Sequence, residues 1–220
     1  MPGWPRAFPT NSAGGGTSGE SSPVLGDLDG DGDLEVVIGT NPGGVYAFHH
    51  DGTLVSGWPK WTIQNLAEIG VSIGDIDGDG RPEVIANVDG LDKEPLFIRG
   101  AYLYAWHGDG SLLPGWPVPV HLFATDVFVG CVPVLADVDG DGKADVIVSN
   151  DVSRNGLFGL LHAYRYDGTK APGFPKPTIG QGDTNITPHS AAIADLDGDG
   201  LLELASTDSD NNVYVWDLVA

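Results

Sequence analysis

The chain has 220 residues, 41% of them hydrophobic, and a formal charge of −21 from 31 acidic against 10 basic side chains. That apolar share suffices for a packed core and argues against disorder, while the acidic balance excludes a nucleic-acid partner, which would want a basic face. No run is long and apolar enough to insert in a membrane, Met1-Pro2-Gly3-Trp4 does not begin a signal peptide, and the single Cys131 permits no intrachain disulfide and reads as a small buried residue.

Taken in chain order, the elements repeat. Pro2-Gly3-Trp4-Pro5 comes first, and its counterparts appear only later. Pro23-Val24-Leu25-Gly26 is a short run of small and apolar residues leading into the acidic loop Asp27 to Glu35. A β-branched run follows (Glu35-Val36-Val37-Ile38), then an alternating aromatic segment (Val45-Tyr46-Ala47-Phe48), a turn (Asp51-Gly52-Thr53) and a segment ending Gly57-Trp58-Pro59. The same order recurs from Val71 to Pro117 and from Pro133 to Pro175, with turns at Asp109-Gly110-Ser111 and Asp167-Gly168-Thr169. The fourth copy runs from Ala191 to Trp216 and stops after its third segment.

Alternating runs bounded by Gly, Asp and Pro are strands joined by hairpins, and no segment carries a helical period. Four antiparallel strands in about 50–60 residues describe a propeller blade. The expected fold is therefore an all-β propeller of four four-stranded blades, with repeats near 20–60, 69–118, 131–177 and 189–220, the last completed by residues 2–9. Gly or Ala before each acidic loop suits the crowded innermost strand, and Trp-Pro suits the outer edge, where proline's missing N–H costs no ladder bond. The ring then closes as four blades in one chain, as eight in a homodimer that exchanges ends, or as part of a longer ring. Neighbouring blades turn by about 90° in a four-bladed ring and about 45° in an eight-bladed one, which favours the dimer.

The acidic loops carry the chemistry. D-x-D-G-D-G-x-x-[DE] begins at Asp27, Asp75, Asp137 and Asp195, placing carboxylates at Asp27, Asp29, Asp31 and Glu35, at Asp75, Asp77, Asp79 and Glu83, at Asp137, Asp139, Asp141 and Asp145, and at Asp195, Asp197, Asp199 and Glu203. Four carboxylates within nine residues repel one another unless a cation sits among them. Hard Ca²⁺ prefers six to eight oxygens in a flexible shell, and glycines at positions 4 and 6 let a tight loop turn its oxygens inward. An EF-hand is excluded by the missing flanking helices and missing position-12 glutamate.

These loops resemble the FG-GAP/VCBS repeats found in integrin alpha subunits and many bacterial secreted proteins, and the resemblance spans nearly the whole chain. It implies one Ca²⁺ per loop, about four per chain, held by the side chains at positions 1, 3, 5 and 9 and by the carbonyl at position 7. That seventh position reads Asp33, Arg81, Lys143 and Leu201, a variability that suits a carbonyl ligand. Every ligand set looks full and no base stands nearby, so the expected role is structural, in an extracellular, cell-surface or periplasmic compartment with millimolar calcium. His49, His50 and His107 flank tight turns and are expected to face solvent.

Calcium loops and Asp-Gly turns would share one face, leaving the longer connections on the other. Loops on a rigid scaffold are where recognition concentrates, and the candidate ligand contacts there are Trp61, Asp92, His121, Asp126 and Asn185. The recurring aromatics are core residues rather than sugar platforms. His189-Ser190 lacks an orienting carboxylate, so no nucleophile is assigned. The expected function is non-enzymatic binding or adhesion toward a protein or glycan, with a lectin as the alternative and a polysaccharide lyase as a remoter one.

Overall fold

The computed structural model describes residues 2–8, 18–19, 21–41, 43–62, 69–91, 99–122, 131–150, 160–177, 191–207 and 212–218. These residues form antiparallel sheets and no helix. The first sheet holds β1 (Ser18–Gly19), β2 (Val24–Gly26), β3 (Glu35–Asn41), β4 (Gly44–Phe48) and β5 (Lys60–Trp61), with β1 and β2 as two pieces of one inner strand against β3. The second runs β6 (Ile69–Gly74), β7 (Glu83–Leu91), β8 (Arg99–Trp106), β9 (Val118–Leu122). The third runs β10 (Val134–Ala136), β11 (Asp145–Asn150), β12 (Leu160–Tyr164), β13 (Lys176–Pro177). The fourth has β14 (Ala192–Ala194), β15 (Glu203–Thr207) and β16 (Val213–Asp217). Four up-and-down sheets are the arrangement expected of blades.

Each core lies between consecutive sheets. Val37, Val45 and Ala47 of the first pack with Val84, Ala86 and Tyr104 of the second. Ile85, Leu103 and Trp116 of the second pack with Val146, Val148 and Tyr164 of the third, and Ile147 and Leu161 of the third with Leu204 of the fourth. Being covered on both faces, β4 is buried at all five positions and shows no in–out alternation. In the fourth sheet β16 still alternates, and Val213 and Val215 are exposed.

Small residues at the ends of the inner strands have a steric cause. A Cβ on Gly26 would lie 2.7 Å from the Ile73 side chain of the next sheet, and one on Gly74 would lie 2.7 Å from Leu135. Leu25, in the same register as Ile73 and Leu135, has no described sheet before it and is exposed. A second inter-strand seat explains Cys131: its buried sulfur accepts the N–H of Ser149 at 3.3 Å, as Ser21 Oγ accepts that of Gly39 at 2.8 Å.

The outer strand differs from the expectation. It does not end at Trp-Pro. Leu54, Leu112 and Lys170 each make a single bridge to the third strand, a turn carrying Gly-Trp-Pro or Gly-Phe-Pro intervenes, and pairing resumes in β5, β9 and β13. The turn exists because its aromatic leaves the sheet. Trp58 Nε1–H donates to Gly108 O at 2.8 Å, and Trp116 Nε1–H donates to Tyr166 O at 2.7 Å, each reaching the turn of the following sheet. The preceding glycine sits flush against that turn: a Cβ on Gly57 would meet Asp109 O at 2.1 Å, and its φ is +89°. Four such bonds to proline are cis, including Trp4-Pro5.

The N-terminal copy obeys the same rule. Trp4 Nε1–H donates to His50 O at 2.9 Å, and its ring meets Phe48 edge-on. Residues 2–8 thus lie against the first sheet where the Trp-Pro turn of a preceding sheet would lie.

Candidate metal centre

The acidic loop is the hairpin connection between the first two strands of every sheet. The ladder brings the residue before the loop opposite its ninth: Gly26 with Glu35, Gly74 with Glu83, Ala136 with Asp145, Ala194 with Glu203. Within the loop, hydrogen bonds to backbone amides fix the carboxylates. Asp27 accepts from Gly30 N (2.8 Å) and Gly32 N (3.1 Å) through its two oxygens, and Asp75, Asp137 and Asp195 repeat the pattern. Asp29, Asp77, Asp139 and Asp197 each accept the amide two residues on through Oδ1. So do Asp31, Asp79, Asp141 and Asp199, whose donors are the amides of Asp33, Arg81, Lys143 and Leu201. The chain can turn this tightly because Gly30 and Gly32 take φ of +79° and +92°, a region costly for any residue with a Cβ.

The ninth carboxylate is different in kind. Glu35, Glu83, Asp145 and Glu203 are buried, at 0%, 0%, 2% and 6% exposure. One oxygen of each accepts the amide of the loop's second residue, at 2.8, 3.0, 3.0 and 2.6 Å. Burial pushes Asp145 up to about 6, reinforced by Asp139, Asp141 and Asp137, and raises Glu83 in the same way with Asp77 adding to it. An ionised carboxylate in this position calls for a counter-charge.

One ligand atom from each of Asp27, Asp29 and Asp31 lies within 4.8 Å of the others, as for Asp75, Asp77 and Asp79, and for Asp137, Asp139 and Asp145. The donors of these three groups are oxygens on a short flexible loop, which fits a hard divalent ion such as Ca²⁺ and lacks the thiolates of a structural zinc site. A ring nitrogen of His49 lies within the same reach of Asp29 and Glu35, and one of His107 of Asp77 and Glu83. At position 7 the side chains of Asp33, Arg81 and Leu201 are exposed and that of Lys143 is half-buried. Its ammonium stands 3.7 Å above the Tyr166 ring.

Two histidines do not face solvent as expected. His49 Nδ1 lies 3.2 Å from Glu35 Oε1 and 3.8 Å from Asp29 Oδ2, and His107 Nδ1 lies 3.3 Å from Glu83 Oε1. A base therefore stands beside two of the loops. His50 remains exposed, 3.3 Å from Asp33. The third sheet places Arg165 in the same position, where it pairs with Asp139, and the fourth places Asp217 there, opposite Glu203. These contacts also put the acidic loops and the Asp-Gly turns at one end of the sheets. In the turns, Asp51, Asp109 and Asp167 are held below the ordinary carboxylate range by the hydroxyl and amide of Thr53, Ser111 and Thr169.

The candidate ligand contacts are not assembled by the described structure. Trp61 is 49% exposed in β5, its ring edge-on to Tyr46. His121 lies in β9 opposite Ala101. Asp92, Asp126 and Asn185 lie outside the described residues.

Antiparallel sheets that each carry an acidic hairpin loop at one end define a repeat protein of the blade-building kind. The sequence model of the FG-GAP-like repeat matches residues 27–86 and 137–206, and the chain belongs to that family. No curated protein matches the sequence.

Proposed function

We propose that the chain is a β-propeller module stabilised by about four Ca²⁺ ions and used for non-catalytic binding or adhesion in an exported protein. The observation that carries this reading is the fourfold recurrence of one acidic loop, D-x-D-G-D-G-x-x-[DE], each with its ninth carboxylate buried. Side chains at positions 1, 3, 5 and 9 would hold the ion, together with the carbonyls of Asp33, Arg81, Lys143 and Leu201. A bound ion supplies charge neutralisation and ties together the two strands that each loop joins. Native mass spectrometry should count about four calcium ions per chain. Excess EDTA should lower the melting temperature by at least about 10 °C, because a site filled at a hundred times its Kd contributes about 2.7 kcal/mol. An unchanged melting curve in EDTA would overturn the reading.

The ligand, a protein or a glycan, belongs on the face away from these loops, with Trp61, Asp92, His121, Asp126 and Asn185 as first candidates. The half-exposed Trp61 indole is the described side chain best suited to stacking on a sugar or packing on a partner. Binding to a glycan array or to cell-surface protein should fall in Trp61→Ala if this face is used. Ring closure is proposed to join two copies as eight blades. It is supported by the seat of Trp4 in the first sheet and by the exposed Leu25, Val213 and Val215 at the two outer sheets. Light scattering that returns a monomer mass would remove the dimer.

A further inference from the structure

The four loops are alike in sequence but not in what faces them. The residue just past the last aromatic of each third strand stands beside the loop, and it reads His49, His107, Arg165 and Asp217. We propose that Arg165 is a tethered cation that competes for the third loop, so that this loop is the low-affinity calcium site and the chain fills in two stages. The inference rests on the calcium reading above.

The argument starts from the third-position carboxylate. In each loop its Oδ1 is committed to the amide two residues on, at 3.2, 3.0, 3.2 and 3.1 Å, which leaves Oδ2 for an ion. In the third loop that oxygen is taken. Asp139 Oδ2 accepts Nε of Arg165 at 2.6 Å and also pairs with Nη2. The Asp139 side chain is only 4% exposed, so no open side remains for an ion to approach without displacing the guanidinium. Charge-assisted pairs of this kind are among the stronger hydrogen bonds.

Two further features of this loop act in the same direction. Its ninth residue is Asp145, one methylene shorter than the glutamates of the other three loops. Its charge is also the least negative. Arg165 and Lys143 offset four carboxylates, whereas the first loop adds Asp33 to its four and the fourth sheet adds Asp217. The Arg165 side chain is 35% exposed, so it has water to withdraw into when calcium is high. The third loop is therefore conditional rather than dead.

Native mass spectrometry across free calcium from about 1 µM to about 10 mM reads the stages directly. In the wild-type chain the last ion should enter at a calcium concentration at least about tenfold above the others. Asp139→Asn should remove that late ion and leave the rest. Arg165→His, which installs the residue of the first two sheets, and Arg165→Gln should bring the late ion to within about threefold of the others. One-step filling of the wild-type chain overturns the inference while leaving the calcium reading intact, and this outcome needs no variant to fold. A late step that persists in both folded Arg165 variants also overturns it. A wild-type chain that takes up no calcium at all overturns both.

Discussion

Replacing Trp116 tests whether the tryptophan seams hold successive sheets together. Its indole is 5% exposed, packs in the core shared by the second and third sheets, and donates to Tyr166 O at 2.7 Å. A buried tryptophan hides about 150–250 Å², which at about 25 cal/mol per Å² is worth roughly 4–6 kcal/mol. Measured truncations of large core aromatics cost about 3–5 kcal/mol, so Trp116→Ala should fall near the upper end of that range. Trp116→Phe keeps most of the apolar contact but leaves the Tyr166 carbonyl without the indole donor, which should cost about 1–2 kcal/mol. Phe174 provides the internal comparison. It is half-buried, carries no N–H and fills the same turn of the third sheet, so Phe174→Ala should cost less than half of what Trp116→Ala does. Urea unfolding followed by far-UV circular dichroism, with calcium and with chelator, gives the numbers. The reasoning fails if Trp116→Phe matches wild type within about 0.5 kcal/mol, a shift too small for a broken hydrogen bond at a buried seam.

Gly108→Ala should be severely destabilising, by more than about 3 kcal/mol, because its Cβ would stand 1.9 Å from Leu28 O of the preceding sheet. Gly30→Ala meets no atom within 4 Å and should cost only the roughly 1–2 kcal/mol of a left-handed φ, so equal losses at the two sites would refute the steric account. In chelator, the raised Asp145 makes the folded chain bind more protons than the unfolded one between about pH 4 and pH 6. Its contribution, on the order of 3 kcal/mol, is complete below that window and disappears as pH rises through about 6. Asp145→Asn should flatten this part of a stability–pH profile measured without calcium. Cys131, 6% exposed with its thiol pushed up by burial, should ignore a thiol-specific reagent until urea unfolds the chain.

The parts of the fold that depend on near neighbours in sequence were readable from it. Hairpins, acidic loops and aromatic strands announce themselves by alternation and by Asp-Gly turns, and each pairs within its own repeat. The seat of Trp58 was not readable, since its acceptor is 50 residues away and belongs to the next sheet. For the same reason the sequence places the end of the outer strand at Trp-Pro, whereas the strand only pauses there to send the indole across. The histidines beside the loops depend on ladder register. Once Val36 pairs with Phe48, the next pair outward sets Glu35 against His49, so the contact follows from the register of the ladder. The face proposed for a ligand was not legible because its loops do not repeat in the sequence, and repetition was the signal that made the rest readable.

Among the described residues the tryptophan seams point the same way: Trp58 and Trp116 each reach forward to the turn of the following sheet, as Trp4 reaches the turn of the first. Such a joint specifies its neighbour by type and not by rank. Because the acceptor is a backbone carbonyl of a recurring turn, a Gly-Trp-Pro joint can be matched by any repeat that carries that turn, so an array built on such joints can change length by whole units. A symmetrical joint, in which like met like, would have stopped the array at pairs.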